Sequence, residues 1–257
     1  MNVVIITGAS SGMGAEFAYQ MDPYFTNIDQ FWLIGRSQSK LDEIAACLEY
    51  HPTMILNMDL TDEASLDELA SELRSRNATV RMLINCAGYG IMGSFADNKK
   101  EEELGMIRIN CEALTSITHR LLPFMKKGSR IIQLASAAAF LPQPDFAVYA
   151  ATKAYVLNFS LALGEELRSR GIYVTSVCPG PVNTPFFEIA LKGKQLAPMK
   201  RLALAEPEYV VAKALRDSYK KQSISVYGLP MKGFRILTKC VPHSLILKAL
   251  SKIGSTD

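Results

Sequence analysis

Seven short runs of β-branched and aromatic residues, separated by longer amphipathic stretches, constrain this chain more than any other feature. They are NVVIIT (2–7), FWLIG (31–35), TMILNM (53–58), RMLIN (81–85), RIIQLAS (130–136), IYVTSVC (172–178) and ISVY (224–227). Runs this apolar suit strands buried on both faces, and the stretches between them are long enough to return over a sheet as helices. The pattern predicts an α/β fold, with one doubly wound parallel sheet, helices on both faces and a C-terminal helical extension. Helices are expected over SKLDEIAACLEY (39–50), DEASLDELASELRSR (62–76), INCEALTSITHRLLPFM (109–125) and from Ala147 to about Arg170. The last has hardly any polar face, so it should be buried on more than one side, inside the subunit or against a second one.

With 257 residues, 49% hydrophobic and 21% charged, the chain can bury a large core as a single domain over 1–257. A net charge of +3 is too mild for nucleic-acid binding. The first residues run directly into a strand without a basic leader or a cleavage site, so a cytoplasmic protein is expected. Five scattered cysteines, an odd number, fit reduced thiols rather than a disulfide framework. No apolar run reaches the roughly 18 residues of a transmembrane helix. His51, His119 and His243 lack ligand spacing with Cys or carboxylates, so no metal site is expected.

Directly after the first run comes TGASSGMG, in which Gly8, Ser10, Ser11, Gly12, Met13 and Gly14 lead into a helix. A glycine-rich turn between strand and helix lets backbone N–H groups and the positive helix end approach a diphosphate. A Tyr and a Lys four positions apart, Tyr149 and Lys153 in VYAATKAY, share one helix face among small residues. Other polar residues stand at strand ends: Asp59 and Leu60 in NMDLTD, Asn85, Ala87 and Gly88 in NCAG, Asn110 in RINCEA, Ser136, and Pro179, Gly180, Val182 and Thr184 in CPGPVNTP. Singly, each could be a cap or a turn residue.

In this order and spacing they resemble the classical short-chain dehydrogenase/reductase family, over residues 2 to about 228. The resemblance implies a Rossmann-type fold and NAD(P)-dependent interconversion of an alcohol and a ketone. It implies Asn110, Ser136, Tyr149 and Lys153 as the catalytic group, with Tyr149 the general acid or base, Ser136 a hydrogen-bond partner of the substrate oxygen, Lys153 a holder of the nicotinamide ribose and Asn110 the anchor of a water relay. The glycine turn, Asp59, Leu60, Asn85, Ala87, Gly88, Pro179, Gly180, Val182 and Thr184, with Tyr149 and Lys153, become the cofactor contacts. It also implies a homodimer or homotetramer. A free tyrosine has a pKa of about 10, and a nearby Lys153 ammonium, joined by an oxidised nicotinamide, is expected to lower it.

NAD-dependent members usually place an acid at the end of the second strand. Here Gly35 is followed by Arg36 and Ser37, which suit a 2′-phosphate, so NADP(H) is expected over NAD(H). Residues 183–205 are expected to cover the substrate. Phe186, Phe187, Ile189, Leu191, Leu196 and Met199 there, with Gln143 and Phe146 ahead of Tyr149, indicate a bulky hydrophobic ketone or alcohol. The final segment, 229–257, has five basic residues (Lys232, Arg235, Lys239, Lys248, Lys252) against Asp257, and an apolar stripe of Leu245, Ala249, Leu250 and Ile253. It fits a pocket cover or subunit contact first and a peripheral membrane contact second. Its similarity to hydroxysteroid-dehydrogenase-like members makes a steroid or bile acid, acted on at the 3-position, the expected substrate. A 3-oxoacyl thioester reductase is the alternative enzyme, and a catalytically silent NADPH-binding sensor or scaffold the alternative of another class.

Overall fold

The computed structural model describes residues 1–192 and 204–254, with the backbone alone over 249–254. Every expected apolar run forms a strand: β1 (Asn2–Thr7), β2 (Gln30–Gly35), β3 (Thr53–Asn57), β4 (Thr79–Asn85), β5 (Arg130–Leu134), β6 (Tyr173–Val177) and β7 (Ile224–Ser225). They make one parallel sheet in the order β3-β2-β1-β4-β5-β6-β7. The helices are α1 (Gly12–Met21), α2 (Gln38–Ala46), α3 (Glu63–Ser75), α4 (Lys100–Ile107), α5 (Leu114–Leu121), α6 (Ala147–Glu166), α7 (Phe186–Leu191), α8 (Pro207–Tyr219), α9 (Leu229–Cys240) and α10 (His243–Gly254).

Alternate residues of β1 point to opposite faces, as the two-residue repeat of a strand requires. Val4 and Ile6 join Phe17 of α1 and Val211 of α8 in one core, while Val3 and Ile5 join Leu66 of α3, Ile117 of α5 and Leu163 of α6 in the other. Burial on both faces explains why these strands read as continuous apolar runs.

Three helix boundaries depart from expectation. α2 stops at Ala46 because the buried Asp22 carboxylate accepts hydrogen bonds from the N–H groups of Glu49, Tyr50 and His51 at 2.8, 3.0 and 3.0 Å, drawing that segment out of the helix. The helix expected over 109–125 begins earlier, with α4, continues through a π-helical turn over Arg108–Ala113, and ends at Leu121 ahead of a short 3-10 turn containing Pro123. α6 ends at Glu166 and is not buried all round, since Tyr155 and Leu161 are 43% and 37% exposed. In the C-terminal extension, α9 lays Met231 against Gly180 and Phe234 towards Phe140. Leu196, Met199 and Asp257, and the side chains of Ala249, Leu250, Lys252 and Ile253, lie outside the described residues.

The chain leaves β1 towards β2 and enters β4 from the other side, so a crevice opens at the carboxyl ends of β1 and β4. The buried Thr7 closes its floor, its Oγ1 accepting from the N–H groups of both Cys86 and Ala87 at 3.1 Å. Thr7→Val keeps the shape and strands two N–H groups. It should destabilise the protein by about 2 kcal/mol in urea unfolding, and loss of less than about 0.5 kcal/mol would mean that the two groups find other partners.

Candidate active site

The turn after β1 is built on close backbone approaches. A Cβ on Gly8 would stand 2.8 Å from the Ala87 nitrogen, and one on Gly14 would stand 2.2 Å from the Gly8 oxygen. No side chain fits at either position, and φ of +64° at Gly8 adds a second reason for glycine. Ser11 caps α1 without a side-chain hydrogen bond, and the first turn of α1 has no acidic residue. Its free N–H groups and positive dipole end suit a diphosphate. Thr184 faces Gly12 from the loop after β6, 3.4 Å from where a Cβ would be. That loop is held by Val182, which pairs with Ala205 as an isolated bridge, and by the Pro179 oxygen, which accepts from the Ala137 N–H at 2.7 Å.

At the end of β2, Ser10 packs against Gly35, where a Cβ would lie 3.3 Å from the Ser10 Oγ. Arg36 is exposed and enters no salt bridge among the described residues. The Ser37 and Ser39 hydroxyls are 3.4 Å apart beside it. The Asp59 carboxylate accepts from the N–H and hydroxyl of Thr61 at 2.9 and 2.8 Å, and these bonds, more than the nearby Arg36, hold it below its ordinary pKa. Leu60 behind it is buried. The uncapped α1 terminus, the side-chain-free turn and this cationic, hydroxyl-rich end of β2 together fit a dinucleotide.

Asn110 belongs to the π-helical turn, a distortion that turns up at functional sites. It is fully buried, donating to the Tyr89 oxygen at 2.9 Å and to Thr152 Oγ1 at 3.1 Å while accepting from the Tyr89 N–H at 3.1 Å. It thereby ties the loop after β4 to α6. Asn85 is likewise buried, its amide donating to Thr118 and Gln133 at 3.0 and 2.9 Å, so its side chain braces the sheet interior. Gly88 lies against Asn110, and a Cβ there would be 2.6 Å from Asn110 Oδ1 and 3.7 Å from the Lys153 Nζ.

Ser136, Tyr149 and Lys153 come together at the carboxyl end of β5. Tyr149 is 6% exposed and Lys153 5% exposed, with the Lys153 Nζ 5.6 Å from the centre of the Tyr149 ring. In the protein alone, burial outweighs any acidifying effect on the phenol. Burial pushes Tyr149 up to about 12, and a hydrogen bond with Ser136 opposes this without overcoming it. The ammonium is directed to the Leu134 carbonyl at 2.7 Å, and burial brings Lys153 down to about 8. Cys86, Cys111 and Cys178 surround it, and burial raises these thiols to about 12, 11 and 11.

Phe146 stacks on Tyr149 with ring centres 4.1 Å apart, Phe186 of α7 stands 5.4 Å from Tyr149, and Phe187 meets Phe186 edge-on at 5.4 Å. Gly90 is required beneath them, since its Cβ would be 2.6 Å from Tyr149 and 2.7 Å from Phe146. α7 is fastened by the Met92 N–H to the Ala190 oxygen at 2.9 Å and by Lys192 to Glu102 at 2.6 Å. Gln143 is half-buried and accepts from the Phe146 N–H through its backbone, whereas Ile189 is exposed. Thr7, Thr152 and Gly90 went unnoticed in the sequence, and the cysteines, read there only as reduced thiols, were not placed beside Lys153. The alternation of Thr152 with Tyr149 and Lys153 on one turn was the available signal for the first contact with Asn110.

A doubly wound sheet with a glycine turn at its switch point and a Ser-Tyr-Lys group beside it, the Tyr and Lys buried, defines a nucleotide-dependent oxidoreductase. The sequence pattern of the short chain dehydrogenase family matches residues 2–194, and the chain belongs to that family, as an NAD(P)-dependent alcohol dehydrogenase/ketone reductase. An uncharacterized oxidoreductase of Staphylococcus epidermidis is 31% identical over 217 residues, covering 81% of this chain and 93% of its own. A very-long-chain 3-oxoacyl-CoA reductase of Phaeosphaeria nodorum is 35% identical over 194 residues, covering 72% of this chain and 56% of its own. The solved short-chain dehydrogenase of Sphingobium yanoikuyae in complex with NADPH superposes with a TM-score of 0.77 at 28% identity, covering 100% of this chain and 96% of its own.

The buried ammonium gives a pH-dependent prediction. Below about pH 8 both folded and unfolded chains carry the Lys153 proton, and the fold bears the whole desolvation penalty; from about 8 to 10.5 the unfolded chain holds the extra proton, so stability rises with pH. Above pH 10 it falls again, because Tyr149 ionises first in the unfolded chain. Lys153→Met should therefore be more stable than wild type at pH 7 by about 1–2 kcal/mol, after allowing for the lost bond to Leu134. Urea unfolding should show that advantage shrinking by pH 10, and a gap independent of pH would contradict the burial argument.

Proposed function

We propose that the chain uses NADP(H) to interconvert a secondary alcohol and a ketone on a bulky hydrophobic substrate, of which a steroid or bile acid is the class put forward. The observation that carries this reading is the aromatic wall beside the buried Tyr149 ring: Phe146 and Phe186 pack on it in an apolar cluster with Ile91, Met106 and Ala138, and Phe187 extends the wall from Phe186. Flat apolar rings offer stacking area to a fused-ring skeleton and exclude water from the reacting oxygen. The cover expected over 183–205 begins with α7 in this reading, and residues 193–203 of it lie outside the described residues.

The bound dinucleotide supplies or accepts the hydride. Tyr149 gives its proton to the ketone oxygen, and Ser136 hydrogen-bonds that oxygen as charge gathers on it. Lys153 binds the nicotinamide ribose and supplies positive charge near the phenol. Asn110 anchors the water through which Lys153 exchanges protons with solvent. Gly8, Ser10, Ser11, Gly12, Met13 and Gly14 hold the diphosphate, with Asp59 and Leu60 on the adenine side and Asn85, Ala87, Gly88, Pro179, Gly180, Val182 and Thr184 along the remainder. Arg36 and Ser37, at a strand end without an acid, support the 2′-phosphate. A homodimer or tetramer would cover the exposed Tyr155 and Leu161 of α6.

A 3-oxoacyl thioester is the second substrate reading, favoured by the 35% identity to a very-long-chain 3-oxoacyl-CoA reductase. Parallel turnover assays on steroid and bile-acid ketones and on long-chain 3-oxoacyl thioesters decide between them, and activity confined to the thioesters overturns the first.

Tyr149→Phe should lower turnover by at least about a thousandfold while leaving NADPH affinity within about threefold, the mark of a lost proton donor. Arg36→Ala should raise the KM for NADPH by about tenfold or more and leave that for NADH unchanged. Equal effects on both nucleotides would remove Arg36 from the 2′-phosphate.

A further inference from the structure

α9 carries three distinct faces. Met231, Phe234 and Thr238, spaced three and four residues apart, turn inward, the first against Gly180 and the second towards Phe140. On the opposite side Leu229, Ile236 and Leu237 are 81%, 63% and 48% exposed. Between the two runs a third stripe, Lys232, Arg235 and Lys239, at the same helical spacing. A helix that packs only on its own domain needs one apolar face, and this one has two on opposite sides. Leu245, near the start of α10, is also exposed, at 55%.

The cationic stripe does not stand alone. Lys232, Arg235 and Lys239 line a cleft of about 450 Å³ with Lys213 and Lys220, on and just after α8. The single carboxylate in the lining, Asp217, is taken by Lys213 at 2.7 Å. Residues 229–254 contain no acidic side chain.

We infer that α9, with the adjoining cleft and the start of α10, docks in the plane of an anionic phospholipid bilayer, Leu229, Ile236 and Leu237 entering the interface while Lys232, Arg235 and Lys239 meet lipid phosphates. The charge pattern selects this occupant. Two copies of the chain joined through α9 would bring two cationic stripes together with no acid on either helix to meet them, whereas an anionic surface complements the stripe and accepts the apolar side chains beside it. The 12 residues of α9 rise about 18 Å, well short of a roughly 30 Å hydrocarbon core, so the helix lies on the membrane. No helix among the described residues is long and apolar enough to cross one. The inference is independent of the substrate reading, since it concerns adsorption and not turnover.

Co-flotation of the full chain with phosphatidylcholine vesicles, with and without about a third of phosphatidylglycerol, tests it. Wild type should float with the anionic vesicles only and be released in large part by 0.5 M salt, where the Debye length is only about 4 Å. Lys232→Glu with Lys239→Glu should weaken partitioning by at least about 30-fold. Ile236→Ser with Leu237→Ser, both at exposed positions, should weaken it by about tenfold without lowering Tm. Inorganic phosphate at 10 mM should not compete appreciably, which separates a bilayer from a soluble anion as occupant. Binding to neutral vesicles as strong as to anionic ones, indifference to either double substitution, or an oligomer in sedimentation that dissociates on Ile236→Ser with Leu237→Ser would each overturn the inference, the last in favour of a second copy.

Discussion

An ammonium buried at 5% exposure, directed to a carbonyl and ringed by un-ionised thiols, is the constraint around which this structure is arranged. Among the described residues no carboxylate neutralises Lys153, so its position has to be enforced by what packs around it. Gly88 keeps the approach clear, Leu134 supplies the acceptor from the end of β5, and Asn110 fastens the neighbouring Thr152 of α6 to the loop after β4. Such an arrangement is held at a cost in stability, and a ligand that binds only the folded state and partners the ammonium offsets it. Sites that need a titratable group near neutral pH are where that trade is expected.

The second requirement is that two half-sites from different ends of the chain meet to within atomic contact. Thr7 clamps the turn after β4 with one oxygen, while Gly8 and Gly14 let α1 begin hard against the same turn. The uncapped α1 terminus therefore opens on the crevice beside α6, and a group held at one end of that crevice is delivered to the buried pair at the other. The strand order supplies the direction of the crevice, and the glycines supply its depth.

The strands were legible because burial on both faces leaves an unbroken apolar run, and all seven fall where such runs lie. The Ser, Tyr and Lys were legible through their spacing, which the family resemblance made readable. Less visible were features that depend on contacts between distant residues. α2 is shortened by Asp22, about 25 residues before the helix end in the chain, through bonds no local pattern announces. α4 was missed because its Glu-rich sequence, KEEELGMI, has almost no apolar periodicity. The π-helical turn has no composition of its own, and the stacking of Phe146 on Tyr149 depends on Gly90 from a separate loop.

Burial sets the starting state of the proton path in the protein alone. A phenol held near 12 remains protonated through the neutral range, which is the state needed to donate to a ketone oxygen as the hydride arrives. In the proposed reduction, a phenolate formed there would be more basic than Lys153, held near 8, and return of a proton from the lysine side would be downhill. The two burials thus push the pair apart in the sense that suits the carbonyl reduction proposed above. Alcohol oxidation on the same residues has to run against both shifts, and it becomes accessible to the extent that added positive charge beside the phenol reverses the effect of burial.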